Sequence, residues 1–107
     1  MKTPEKPSLF LRDKDLIRIK EILKSYVPKY VILSYGSRVN GTAHSASDLD
    51  LVIKSMDGEP LDISTLVDLK EAFQNSNIPI LIDIRDWARI PDYFKEEIEK
   101  MYYEIVL

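Results

Sequence analysis

The chain has 107 residues, 45% of them hydrophobic and 31% charged, with a formal net charge of -3 and no cysteine. That size predicts a single domain over 1–107. The acidic balance excludes the broad cationic footprint of a stand-alone nucleic-acid binder, and the lack of cysteine excludes disulfides and thiolate metal sites. The first residues, Met1 to Pro7, hold no apolar signal core, and no apolar run is long enough to span a bilayer. A cytoplasmic protein with no membrane partner is expected.

In chain order, residues 1–8 carry prolines and lysines and are predicted to form a mobile tail. Asp13 or Asp15 is placed to cap a helix with Leu16, Ile19, Leu23 and Tyr26/Val27 on one side, which Pro28 ends. The β-branched and aromatic run from Tyr30 to Tyr35 predicts a first strand. A short helix over Ser37–Asn40 follows, then a small-residue loop from Gly41 to Ser47. Asp48 to Lys54 is predicted as the second strand, and Met56 to Pro60 as a turn. Asp62 or Ser64 would cap a helix bearing Leu66, Leu69 and Phe73, closed by Asn75-Ser76-Asn77. Ile78 to Asp86 is predicted as the third strand. After Pro91, the spacing of Phe94, Ile98, Met101/Tyr102 and Ile105 predicts a closing helix. No internal repeat or linker interrupts the chain.

Strand alternation sorts the second and third strands into two faces. Leu49, Leu51 and Ile53 share one face, and Asp48, Asp50 and Val52 share the other. Ile80, Ile82 and Ile84 face one way, and Leu81, Asp83 and Arg85 the other. Helices are expected over the apolar face only, leaving the acidic face open. Carboxylates at Asp48 and Asp50, about 6.5–7 Å apart at Cβ, suit bridging divalent ions. Oxygen donors favour Mg²⁺ or Mn²⁺, and Asp83 adds a third acid if its strand lies alongside. Upstream, Gly36 and Ser37 stand where a strand turns into a helix. There a bare backbone and a hydroxyl can grip phosphate, with Arg38 placed to neutralise it. A phosphate grip joined to metal carboxylates describes a nucleoside triphosphate–metal site. With no side-chain nucleophile, it predicts in-line attack on phosphorus by an acceptor hydroxyl that Asp83 orients or deprotonates.

Gly36-Ser37-Arg38, Gly41 and Ser47-Asp48-Leu49-Asp50-Leu51 resemble the signature of the minimal nucleotidyltransferases, a branch of the DNA polymerase β-like superfamily. The resemblance runs from the first helix through Asp83-Ile84-Arg85-Asp86-Trp87 to the closing helix. It implies an α/β (α+β) fold, a small mixed sheet with helices on one face. Asp48, Asp50 and Asp83 would hold two Mg²⁺ or Mn²⁺ ions, and Gly36 and Ser37 would contact ATP. Family members transfer a nucleoside monophosphate, usually AMP, and release pyrophosphate. Many stand beside a gene for a helical HEPN-type protein. In the toxin–antitoxin pairs among them, the nucleotidyltransferase is the antitoxin and adenylylates a tyrosine of its partner.

Two other readings remain open. One is a partner-binding module that neutralises without catalysis; the other is a transferase for a small molecule such as an aminoglycoside. The remaining features have plain structural uses. His44 is expected to be solvated, Ser47 to brace the turn into the second strand, Trp87 to anchor a core edge, and Met101, Tyr102 and Tyr103 to pack within the closing helix.

Overall fold

Pro28 separates the first helix from the sheet. In the computed structural model, which describes residues 8–107, α1 spans Asp13–Tyr26 and β1 spans Val31–Tyr35. The tail expected over 1–8 lies, Ser8 apart, outside the described residues. Neither Asp13 nor Asp15 caps α1. Arg12 holds the N-cap position without a side-chain cap bond, and Asp15, in the first turn, accepts from Arg12 Nε at 2.9 Å. A carboxylate within the first turn still meets the positive end of the helix dipole, which is what such a residue contributes there.

The chain then runs through α2 (Ser37–Asn40), β2 (Leu49–Lys54), α3 (Ile63–Gln74) and β3 (Ile82–Asp86). Asp62 occupies the N-cap of α3 as expected, though its carboxylate makes no cap bond. A 3-10 turn (Trp87–Arg89), α4 (Asp92–Lys100) and β4 (Tyr103–Ile105) complete the fold. The sheet has the order β3-β2-β1-β4. β1 is antiparallel to β2 and β4, while β2 and β3 run parallel, joined by α3 as the crossover.

Two expectations are corrected. β3 begins at Ile82 rather than Ile78, because Pro79 breaks the run, although the Leu81 carbonyl already accepts from Leu49 N–H at 2.9 Å. The closing helix stops at Lys100, and Tyr103–Ile105 crosses to pair with Ser34, Leu33 and Ile32 of β1. Without that strand the outer edge of β1 would carry unpaired backbone groups beside the core. Tyr103 therefore belongs to the sheet rather than to helix packing.

α1 and α3 cover one face of the sheet. Ile19 and Leu23 of α1 and Leu69 and Phe73 of α3 pack on Ile32, Leu51, Ile53 and Ile84. Leu51 and Ile53 are wholly buried, each worth about 2 kcal/mol in apolar transfer. The opposite face is not left bare, contrary to the one-sided arrangement expected. Leu33, Tyr35 and Val52 are sealed beneath Ile90, Phe94 and Ile98, with Trp87 at the margin. Val52 shares the face of the acids yet is fully buried, so the cover reaches partway along it. What stays open is the end of the sheet bearing Asp48, Asp50 and Asp83. Among the described residues, no helix is long and apolar enough to cross a membrane.

Candidate active site

Strand register assembles the acids. Asp50 stands opposite Tyr35 on β1 and opposite Asp83 on β3, so the three form a row across one face. Neighbouring strands lie roughly 4.8 Å apart, which puts the Asp50 and Asp83 carboxylates within reach of a common ligand. Asp48 lies one pleat earlier, in the exposed residue before β2. Asp50 is half-buried. Burial first, then the charges of Asp83 and Asp48, hold its carboxyl above the usual value, and Arg85 partly offsets this. An added cation would relieve that cost.

Gly36 fits the site for two reasons. Its φ of 83° and ψ of -156° lie in a region that side chains rarely enter, and a Cβ there would collide with Asp50 Oδ2. The backbone turn and the carboxylate are thus packed directly together. The Gly36 carbonyl accepts from Val39 and Asn40 N–H, each at 3.0 Å. The amides of Ser37 and Arg38 head the turn, where no intrahelical acceptor exists for them. Gly41 ends α2 in the left-handed conformation with open space around it.

Arg38 sits elsewhere than the sequence suggests. It is buried, and its guanidinium donates to the carbonyls of Ser47 (2.9 and 2.7 Å), Phe10 (2.7 Å) and Ser45 (3.1 Å). The Phe10 amide returns a 2.7 Å bond to the Arg38 carbonyl. Arg38 therefore ties the segment before α1, the α2 turn and the loop into Asp48 to one another. Ser47 braces that loop as expected, its hydroxyl accepting from His44 N–H at 3.0 Å, and His44 is exposed.

Two residues at the site escaped the motif. Tyr35 is nine-tenths buried, its ring edge-on to Phe94 at 5.6 Å. Its hydroxyl is buried with no hydrogen-bond partner among the described residues. Burial, then Asp50, pushes it up to about 12; Arg85 lies close but outside bonding geometry and offsets part of the rise. Arg85 donates from Nε to Asp83 Oδ2 at 3.1 Å and lies over the Phe94 ring at 5.3 Å. Both ions of that pair are about half exposed, so it contributes little to stability. The signals were present: Tyr35 adjoins Gly36, and Arg85 shares the face of Asp83. By contrast, Asp86 is buried and structural. It accepts from Leu61 N–H at 2.9 Å and Ala88 N–H at 3.1 Å and pairs with Arg89.

A row of acids thus stands beside a glycine turn, on a mixed sheet backed by two helices. The family model described as polymerase β, nucleotidyltransferase, matches residues 18–106, and the chain belongs to that family. Over 97 residues it is 43% identical to the probable protein adenylyltransferase MntA of Haemophilus influenzae, spanning 91% of this chain and 83% of that protein. Among solved structures, it resembles a toxin–antitoxin complex with AMP-PNP. The TM-score is 0.68 at 21% identity, over 89% of this chain and 73% of the other. It also resembles a chain of the complex between tri-AMPylated Shewanella oneidensis HEPN toxin and MNT antitoxin. There the TM-score is 0.65 at 17% identity, over 89% and 71% of the two chains. At those identities the structures establish the shared fold.

Proposed function

We propose that this chain transfers AMP from ATP to a tyrosine hydroxyl of a HEPN-type partner protein, acting as the antitoxin of the pair. The observation that carries this reading is the register that sets Asp50 beside Asp83, with Asp48 one pleat away and Gly36 packed on Asp50. The 43% identity to a probable protein adenylyltransferase supports a protein as acceptor and AMP as the group transferred.

The donor set suits divalent metal. It is all oxygen, and burial first, then the charges of Asp83 and Asp48, hold Asp50 above its usual value, a cost a hard cation would offset. Among the described residues, no three acids or histidines already close on a single ion, and Asp83 is turned to Arg85. Asp48 and Asp50 would hold Mg²⁺ or Mn²⁺, with Asp83 joining once it leaves Arg85. A pair of such ions, if held there, would neutralise triphosphate charge and favour attack at the α-phosphorus.

Gly36 lets the β- and γ-phosphates approach the backbone, where the Ser37 and Arg38 amides and the Ser37 hydroxyl can donate. Asp83 accepts the proton of the acceptor hydroxyl as its oxygen bonds to the α-phosphorus. The bond from that phosphorus to the bridging oxygen breaks, and pyrophosphate leaves. Arg38 acts indirectly by fixing the loop that aims Asp48. α4 keeps water from the inner end of the row through Phe94 and Ile98.

Asp48→Asn tests the reading against a purely neutralising binder. Co-expressed with the toxic partner, the variant is expected to co-purify with it and fail to neutralise it. Neutralisation equal to wild type would overturn the enzymatic reading.

A further inference from the structure

β3 is one of the two outer strands of the sheet, and nothing among the described residues pairs with its free edge. The Leu81 carbonyl bonds to β2, so by alternation the backbone groups of Ile82 and Ile84 point outward. Beyond that edge a groove of about 360 Å³ runs between β3 and α3, lined by Phe73, Ile78, Ile80 and Ile82, with Lys70 and Gln74 at its side. Leu81, one pleat before Asp83 on the same face, is 75% exposed. An open apolar edge invites another strand, and proteins ordinarily blunt it with lysine, proline or a covering loop. Here it adjoins the reactive acids. The row Tyr35–Asp50–Asp83 ends at β3, and its next place lies on whatever strand pairs there.

We propose that an extended segment of the protein acceptor adds to the free edge of β3 as a fifth strand and sets its reactive hydroxyl residue opposite Asp83. The proposal rests on the transfer reading above, because the role of Asp83 as base selects which residue of the segment reacts. Alternation then fixes the neighbours. The residues immediately before and after the acceptor turn into the groove against α3, and they are apolar. Backbone bonds to Ile82 and Ile84 supply affinity, and the groove supplies specificity. A second copy pairing through its own β3 does not meet the requirement, since Ile82–Asp86 contains no hydroxyl residue to stand opposite Asp83.

Amide exchange at Ile82 and Ile84, followed by NMR on the full chain with and without the unmodified HEPN-type partner, tests this directly. Label transfer from ATP marked on the α-phosphate is followed in a matching mixture. The partner is expected to slow both amides by at least about tenfold. Leu81→Lys, at an exposed position, is expected to raise KM for the partner about tenfold with kcat unchanged. Unchanged exchange at both amides in a mixture that transfers label would overturn the docking proposal and leave the transfer reading standing. No label on the partner would overturn the transfer reading and this one with it. Slowing that needs no partner and grows with the concentration of this chain would identify self-association and refute the proposal.

Discussion

Gly36→Ala is the substitution whose consequence the structure determines most closely. The backbone at Gly36 lies in a region nearly reserved for glycine, where another residue costs roughly 1–3 kcal/mol. The new methyl would also meet Asp50 Oδ2, so the carboxylate must leave its rotamer at a further cost of about 0.5–1.5 kcal/mol. The sum is about 1.5–4.5 kcal/mol. At some 4–8 °C per kcal/mol for a domain of this size, Tm should fall by roughly 6–36 °C. Gly41→Ala is the control. Its φ of 86° is left-handed as well, but a Cβ there meets nothing within 4 Å, so only a backbone cost of about 1–2 kcal/mol applies. Thermal unfolding by circular dichroism, with and without Mg²⁺ and ATP, separates the two parts. Gly36→Ala is expected to lose more stability than Gly41→Ala and also the rise in Tm that nucleotide gives wild type; Gly41→Ala keeps that rise. Equal losses, with the nucleotide effect intact in both, would refute the packing of Gly36 on Asp50 as a determinant of the site.

Arg38→Ala removes a buried guanidinium from the carbonyls of Phe10, Ser45 and Ser47 and is expected to cost about 3 kcal/mol by urea unfolding. Lysine should not rescue it, because one ammonium cannot reproduce the fork. Asp50→Asn should raise Tm at pH 7 while abolishing transfer. The folded carboxyl is held above its usual value, so the folded state takes up the proton first as pH falls. The Asp50 contribution to wild-type stability therefore rises on acidification from neutrality through that raised range, and the advantage of asparagine shrinks toward the ordinary carboxylate range. A constant difference in Tm between pH 7 and pH 4 would contradict this. Tyr35→Phe keeps the edge contact with Phe94 and removes a buried hydroxyl that has no hydrogen-bond partner among the described residues. Stability should hold or rise by up to about 1 kcal/mol, as chemical denaturation would show.

The strands that position the site were legible because their alternation is written in Leu49–Ile53 and Ile80–Arg85, and the glycine and acids lie at their ends. β4 was hidden because Met101, Tyr102 and Ile105 continue the helical spacing of Phe94 and Ile98. No glycine or proline marks the stop at Lys100, so only the demand of β1 for a partner reveals the strand. The cover on the acidic face was hidden for a related reason. Val52 and Leu33 look like ordinary strand residues until α4 folds back, and that return depends on a turn at Trp87–Arg89 held by Asp86. Arg38 illustrates a further limit. A basic residue after Gly36-Ser37 suits a phosphate by charge alone, and its use depends on three carbonyls from distant segments that no local pattern announces.

If the carboxylate row moves a nucleotide onto a protein, the α-phosphate must follow it there. The most direct measurement incubates this chain with its HEPN-type partner, Mg²⁺ and ATP labelled on the α-phosphate, beside the Asp48→Asn/Asp50→Asn double variant. Label is expected on a tyrosine of the partner with wild type and on neither protein with the double variant. Label on neither protein with wild type, from a mixture in which the two form a stable complex, would contradict the transfer reading.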